Sequence, residues 1–197
     1  MAGNKSKRSH PNNAKRKVRP WEWAVILGAL VLGGWIVWQM QGGKSADAAF
    51  SALAQSGQGA LSRVETGQDA GGGHVAPGQS VAYPDRFPTS GRHDPVSANP
   101  GVYDEVQPPT KLVHAIEHGM IVIYYDAPTP EVFATLTEWA ALYGDPWSGI
   151  VVTPAPGIGQ EIVLTAWNRT LRLNPFEPAA AAFIDRYRGR GPEHPVR

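Results

Sequence analysis

The sequence predicts an α+β or α/β sandwich, in which helices pack on a mixed sheet, behind one N-terminal transmembrane helix. An apolar run, Trp21–Met40, stands near the start of the 197-residue chain. The second half alternates apolar, β-branched runs with amphipathic segments, the pattern of strands and helices that share one core. Cysteine is absent, so disulfides and thiolate metal sites play no part in this fold.

The apolar run Trp21–Met40 is long enough to cross a bilayer. About 20 helical residues at 1.5 Å each span the roughly 30 Å hydrocarbon core, and tryptophans near both ends of the run favour the interfaces. A cleaved signal peptide would have a shorter apolar stretch and a clear cleavage site. The sequence therefore predicts a single-pass anchor whose partner is the lipid bilayer.

The charges on either side of the anchor predict its orientation. Seven lysines or arginines and no acidic residue lie in residues 1–20, which predict a basic, disordered, cytoplasmic tail. The remainder is then expected outside the inner membrane, in the periplasm or at the cell exterior. From Lys44 onward, eleven basic residues stand against sixteen acidic ones. Because this balance disfavours phosphate backbones, no nucleic-acid partner is expected.

Two segments of different composition precede the core. Residues 41–73 are rich in Gly, Ala, Ser and Gln and predict a flexible tether with at most a weak helix over Ala46–Leu53. Residues 74–109 have many prolines and glycines but also aromatic anchors, and predict an ordered loop wrapped over the core. The globular domain is predicted over 74–193, followed by a short tail, 194–197.

The core itself begins with a short helix over 111–118 that Thr110 would cap and Gly119 would end. The later elements are a strand in MIVIYY, a helix in PTPEVFATLTEWAALYG, a strand in GIVVTPAP, a hairpin in EIVLTAWNRTLRL that turns near Asn168–Arg169, and a helix in EPAAAAFIDRYRG. This order is that of the second half of a thioredoxin-like fold. Without cysteine, the analogy implies no redox function.

One motif, HAIEH at 114–118, contains side chains that could bind a metal ion or act in catalysis. Its histidines are four apart and share a helix face, which suits a metal ion. H-x-x-E-H is also the signature of inverted zinc peptidases, in which the glutamate is the general base. Gly119 and a strand follow directly, however, and leave barely two turns of helix. Context therefore disfavours a metallohydrolase, and we do not expect an enzyme.

A metal site would need further ligands from the covering loop. The sequence predicts a copper or zinc site formed by His93, His114 and His118, with His74 and Met120 as additional candidate ligands. Glu117 would orient an imidazole or act as an occasional ligand. The alternative is a non-catalytic scaffold that binds an unknown extracytoplasmic protein and uses its histidines to hold the loop on the sheet.

Five motifs, in order, resemble one bacterial family: YPDRFPTSGRHDP, GVYDE, LVHAIEHGMIVIYY, TAWNRTLRL and FIDRYRGRGPE. Over roughly His74 to Glu193, the chain resembles the membrane-anchored proteins catalogued as domain of unknown function 3105. The resemblance implies an extracytoplasmic domain behind one transmembrane helix, with no established reaction, and it retains His93 beside the other two histidines. Some members carry a cysteine near the position of Pro100. This chain has none, so no disulfide or cysteine ligand carries over.

Overall fold

A computed structural model of the chain describes residues 45–197. The predicted cytoplasmic tail, 1–20, and the predicted transmembrane helix, 21–40, lie outside these residues. Within 45–197, no helix is both long enough and apolar enough to cross a bilayer.

One mixed sheet of six strands organises the described residues. Its strands are β1 (Glu65–Thr66), β2 (Gly101–Val102), β3 (Ile121–Tyr125), β4 (Ile150–Pro154), β5 (Ile162–Ala166) and β6 (Arg169–Leu173). They lie in the order β1-β6-β5-β3-β4-β2. The pairs β3–β4 and β4–β2 are parallel, and the others are antiparallel.

Within residues 45–197, four helices and one 3₁₀ segment surround the sheet. They are α1 over 45–57, the 3₁₀ segment Gln58–Arg63, α2 (Pro109–His118), α3 (Pro130–Leu142) and α4 (Ala179–Tyr187). Side chains alternate between two apolar cores: Ile121 and Ile123 of β3 join α1, α3 and α4, whereas Val122 and Tyr124 join α2. The predicted mixed-sheet sandwich is confirmed at this level.

The structure differs from the predicted flexible tether. Residues 45–73 contain α1, the 3₁₀ segment and β1, which pairs with the edge of β6. Phe50, Ala54 and Gly57 are buried at helical spacing on one face of α1. A Cβ on Gly57 would lie 2.3 Å from the Pro178 carbonyl oxygen. The small residues that resemble a linker in composition are what allow this helix to approach the core closely.

The two ends of helix α2 are capped differently. The predicted Thr110 cap is wrong, because Pro108 precedes the first turn and Thr110 is itself buried within the helix. Gly119 ends the helix as predicted, in the left-handed region at φ 108°. A Cβ there would lie 2.8 Å from the backbone nitrogen of Gly191, so glycine is required for both conformation and space.

The predicted hairpin and tail are also part of this fold. Ala166 pairs with Arg169 across a two-residue turn in which Asn168 takes a φ of 57°. Residues 194–197 are held to the domain, since the backbone nitrogens of Val196 and Arg197 donate to the Gly189 carbonyl.

The role of α1 can be tested at Phe50, which is 3% exposed and contacts Trp139 and Tyr143 edge to face. Phe50→Ala should lower the free energy of unfolding by about 3–5 kcal/mol in urea denaturation. The matched control is Leu53→Ala on the same helix, where the side chain is 38% exposed and the cost should stay near 0.5 kcal/mol or below. If both substitutions lowered the free energy of unfolding by equally small amounts, α1 would contribute little to the core, and the predicted flexible tether would be supported.

Candidate metal centre

Four side chains converge where the loop that follows β1 crosses α2. His74 and His93 form a parallel bridge, in which Val75 donates to the His93 carbonyl at 2.8 Å and His93 donates to the Gly73 carbonyl at 3.0 Å. Helix α2 supplies His114 and Glu117, which share a face because they are three residues apart. The loop and the helix thus bring together groups that are 43 positions apart in the sequence, from 74 to 117.

Three imidazole rings form a near-equilateral triangle. The ring centroids lie 5.1 Å apart for His74 and His93, 5.0 Å for His74 and His114, and 4.8 Å for His93 and His114. With Glu117, each residue offers a ligand atom that lies within 4.8 Å of the others. Ligands at about 2.0–2.1 Å from a tetrahedral ion lie roughly 3.3 Å apart, so small side-chain movements would close this group on a metal.

Backbone carbonyls fix the tautomers of two of these rings. The Nδ1 of His93 lies 2.9 Å from the Gly91 carbonyl oxygen, and the Nδ1 of His114 lies 2.8 Å from that of Asp94. A carbonyl only accepts, so each Nδ1 carries a proton and each neutral ring keeps its lone pair on Nε2. A backbone carbonyl in this role is the common means of orienting a metal-binding imidazole.

The Nε2 of His93 has a neighbour but no hydrogen bond. The ring is fully buried, and this nitrogen lies 3.0 Å from a Glu117 carboxylate oxygen. Among the described residues, this nitrogen has no hydrogen-bond partner. A neutral Nε2 and a carboxylate are both acceptors. Their close approach in a buried place needs a cation between them, either a proton or a metal ion.

The electrostatics of His114 favour the form that binds metals. Burial, the largest cause, lowers the pKa of this imidazole from 6.5 to about 4, against the opposing effect of the bond to the Asp94 carbonyl. Neighbouring imidazoles lower it further. His114 is therefore neutral at pH 7, and a metal would not have to displace a proton from its Nε2.

A turn at Asp94 holds the loop in place beside His114. The carboxylate accepts from the backbone nitrogens of Gly78 at 3.0 Å and Val96 at 2.8 Å. These bonds are the main cause that lowers the pKa of Asp94. The carbonyl that orients His114 thus belongs to a residue whose own side chain is anchored.

A second group adjoins the first and shares His114. It consists of His114, His118 and Glu193, with ligand atoms again within 4.8 Å of one another. The Nε2 of His118 lies 3.0 Å from a Glu193 carboxylate oxygen. Sequence reasoning missed Glu193, although it ends the last of the five family motifs, which was the available signal.

The predicted ligands are thus distributed over two groups. His93 and His114 lie together as predicted, and His74 and Glu117 complete their group, so Glu117 can act directly as a ligand. His118 falls in the neighbouring group. Met120 is buried in the apolar core beneath α2, and its part as a ligand stays a prediction.

Comparison with known proteins places this site in a family. The family described as Protein of unknown function (DUF3105) matches residues 74–197. The chain belongs to this family. The matched DUF3105 region contains every residue of both groups, while α1 and β1 precede it. No curated protein and no solved structure matches the chain.

Proposed function

We propose that this DUF3105 chain is a membrane-anchored, extracytoplasmic protein that binds one Zn²⁺ or Cu²⁺ ion through His74, His93, His114 and Glu117. The observation that carries the proposal is the buried Nε2 of His93, which faces the Glu117 carboxylate without a hydrogen bond. A metal ion between the two atoms would turn this contact into a pair of ligand bonds.

The donor set selects the class of metal. Imidazole nitrogens suit zinc and copper, whereas magnesium and calcium prefer sites made of oxygen ligands. Three imidazoles and one carboxylate fill a tetrahedral zinc ion and leave no position for a reactive water. This supports a binding or structural role in preference to metal-assisted hydrolysis.

The proposed location rests on the sequence. The apolar run Trp21–Met40 would anchor the chain in the inner membrane, and the seven basic residues before it would keep the N-terminus in the cytoplasm. The described domain would then meet metal ions, and any protein partner, outside that membrane.

A scaffold role is the second candidate, and one observation favours it. Both Nδ1 bonds, from His93 to Gly91 and from His114 to Asp94, join rings to carbonyls of the loop. The first of these bonds lies within the loop, and the second joins the loop to α2 with no metal present. A substitution at an exposed ligand separates the candidates, because it removes metal affinity without removing either bond.

His74 is that ligand, since its side chain is exposed while His93 and His114 are buried. The full chain, purified without a histidine tag, should bind one Zn²⁺ or Cu²⁺ ion in calorimetric titrations. His74→Ala should weaken binding at least about 10-fold, as loss of a ligand costs no less than loss of its orienting partner. The melting temperature of the metal-free chain should hardly change.

His194→Ala is the matched control, because His194 is exposed, close to the site and outside the His74 group. It should bind like the wild type. At free metal 100 times the dissociation constant, the wild type should gain about 2.7 kcal/mol of stability. Absence of binding by the wild type, or equal affinities in the two variants, would favour the scaffold.

The proposed membrane orientation can be tested separately. A protease added outside intact spheroplasts should digest the described domain and leave an epitope in residues 1–20 protected. Digestion of that epitope in intact spheroplasts would reverse the orientation.

A further inference from the structure

We propose that the metal has a second position in the same chain, between His114, His118 and Glu193, and that one ion occupies either position with His114 as the shared ligand. This inference rests on the proposed function and extends it from binding to exchange.

The second position has the same construction as the first. The rings of His114 and His118 lie one helical turn apart, with centroids separated by 4.5 Å. The Nδ1 of His118 lies 3.3 Å from the Pro146 carbonyl oxygen, which leaves Nε2 to face Glu193 at 3.0 Å. Once more a backbone carbonyl holds Nδ1, and Nε2 meets a carboxylate.

Backbone hydrogen bonds hold the segment that contains Glu193 against the end of α2. The backbone nitrogen of Gly189 donates to the Gly119 carbonyl at 2.8 Å, and that of Glu193 donates to the Glu117 carbonyl at 3.3 Å. A Cβ on Gly191 would lie 2.1 Å from the same Glu117 oxygen, so the two backbones touch. The C-terminal segment therefore fixes the carboxylate beside His118.

Trp147 fixes the other partner. Its ring stacks on His118 with centroids 4.1 Å apart and planes inclined by 24°. The imidazole is thus positioned from three sides, by Trp147, by Pro146 and by its own helix. Such pre-organisation is expected of a ligand and reduces the entropic cost of binding.

His114 prevents both positions from being filled together. Its Nδ1 donates to Asp94, so Nε2 is the only lone pair available, and one lone pair binds one ion. Bridging two ions would require loss of the Nδ1 proton and of this bond. The ion would instead move between positions by exchanging His74, His93 and Glu117 for His118 and Glu193.

The two positions differ in ligand number and exposure. The first has four ligands, including the fully buried His93; the second has three, and the Glu193 side chain is 44% exposed. A zinc ion with three protein ligands keeps an open coordination position. The second position is thus the weaker one, at which an outside imidazole or carboxylate could take or deliver the ion.

The test removes the first position and asks what remains. In the full chain without a histidine tag, His93→Ala should still bind one Zn²⁺ ion, about 10-fold or more weakly than the wild type, in competition with a chromophoric chelator. Adding His118→Ala should lower the remaining affinity by a further factor of about 10 or more, and adding Glu193→Gln should also lower it. Adding Glu131→Gln, a control on α3 outside both groups, should leave it unchanged.

Each other outcome overturns an identifiable claim. If His93→Ala binds no zinc, or if adding His118→Ala does not change its affinity, the second position is overturned while the proposed function stands. Two ions bound independently by the wild type overturn the shared ligand. A wild type that binds no zinc overturns the proposed function itself. If His93→Ala does not fold, His93→Asn serves as the background, because its amide nitrogen takes the position of Nδ1 and can still donate to Gly91.

Discussion

The contact between the buried Nε2 of His93 and the Glu117 carboxylate is the constraint on which the site depends. Every other bond of His93 faces the loop: its backbone pairs with residues 73 and 75, and its Nδ1 donates to Gly91. Glu117 belongs to α2, so this contact joins the loop to the helix, together with the bond from His114 to the Asp94 carbonyl. Two acceptors at 3.0 Å cannot hold that junction by themselves, and a bound cation would stabilise the folded chain together with the site.

The two groups lie along one face of α2 and differ in how deeply they are buried. His114 stands in the middle, neutral and oriented, with the buried four-residue group on the loop side and the more exposed three-residue group beside the C-terminal segment. Both groups use the same device, a backbone carbonyl on Nδ1 and a carboxylate near Nε2. This repetition is easier to explain by ligand binding than by packing, because packing alone does not require a carboxylate beside the same nitrogen of His93 and of His118.

Local sequence patterns predicted much of this structure. The features they missed are determined by contacts between residues far apart in the sequence. The β-branched runs of β3 and β4, the glycine end of α2 and the spacing of His114 and His118 are all local signals. Helix α1 was predicted only as a weak helix within a tether, and its packing on the core was missed, because its apolar face consists of Phe50 and small residues. Glu193 was missed because only the return of the C-terminal segment to Glu117 and Gly119 brings it to His118. Sharing a helix face was not enough to put His118 with His93, since the loop covers only one end of that face.

The most direct measurement is the protonation state of the His93 ring, by ¹⁵N NMR of the full chain with labelled histidine. In the zinc-loaded chain, Nδ1 of His93 should carry a proton and Nε2 should be bound to the metal. Addition of Zn²⁺ should shift the Nε2 resonances of His93 and His114 while both rings keep the Nδ1 proton. An imidazolium at His93 that carries protons on both nitrogens and does not respond to zinc would show that a proton occupies the contact with Glu117, and would contradict the metal site.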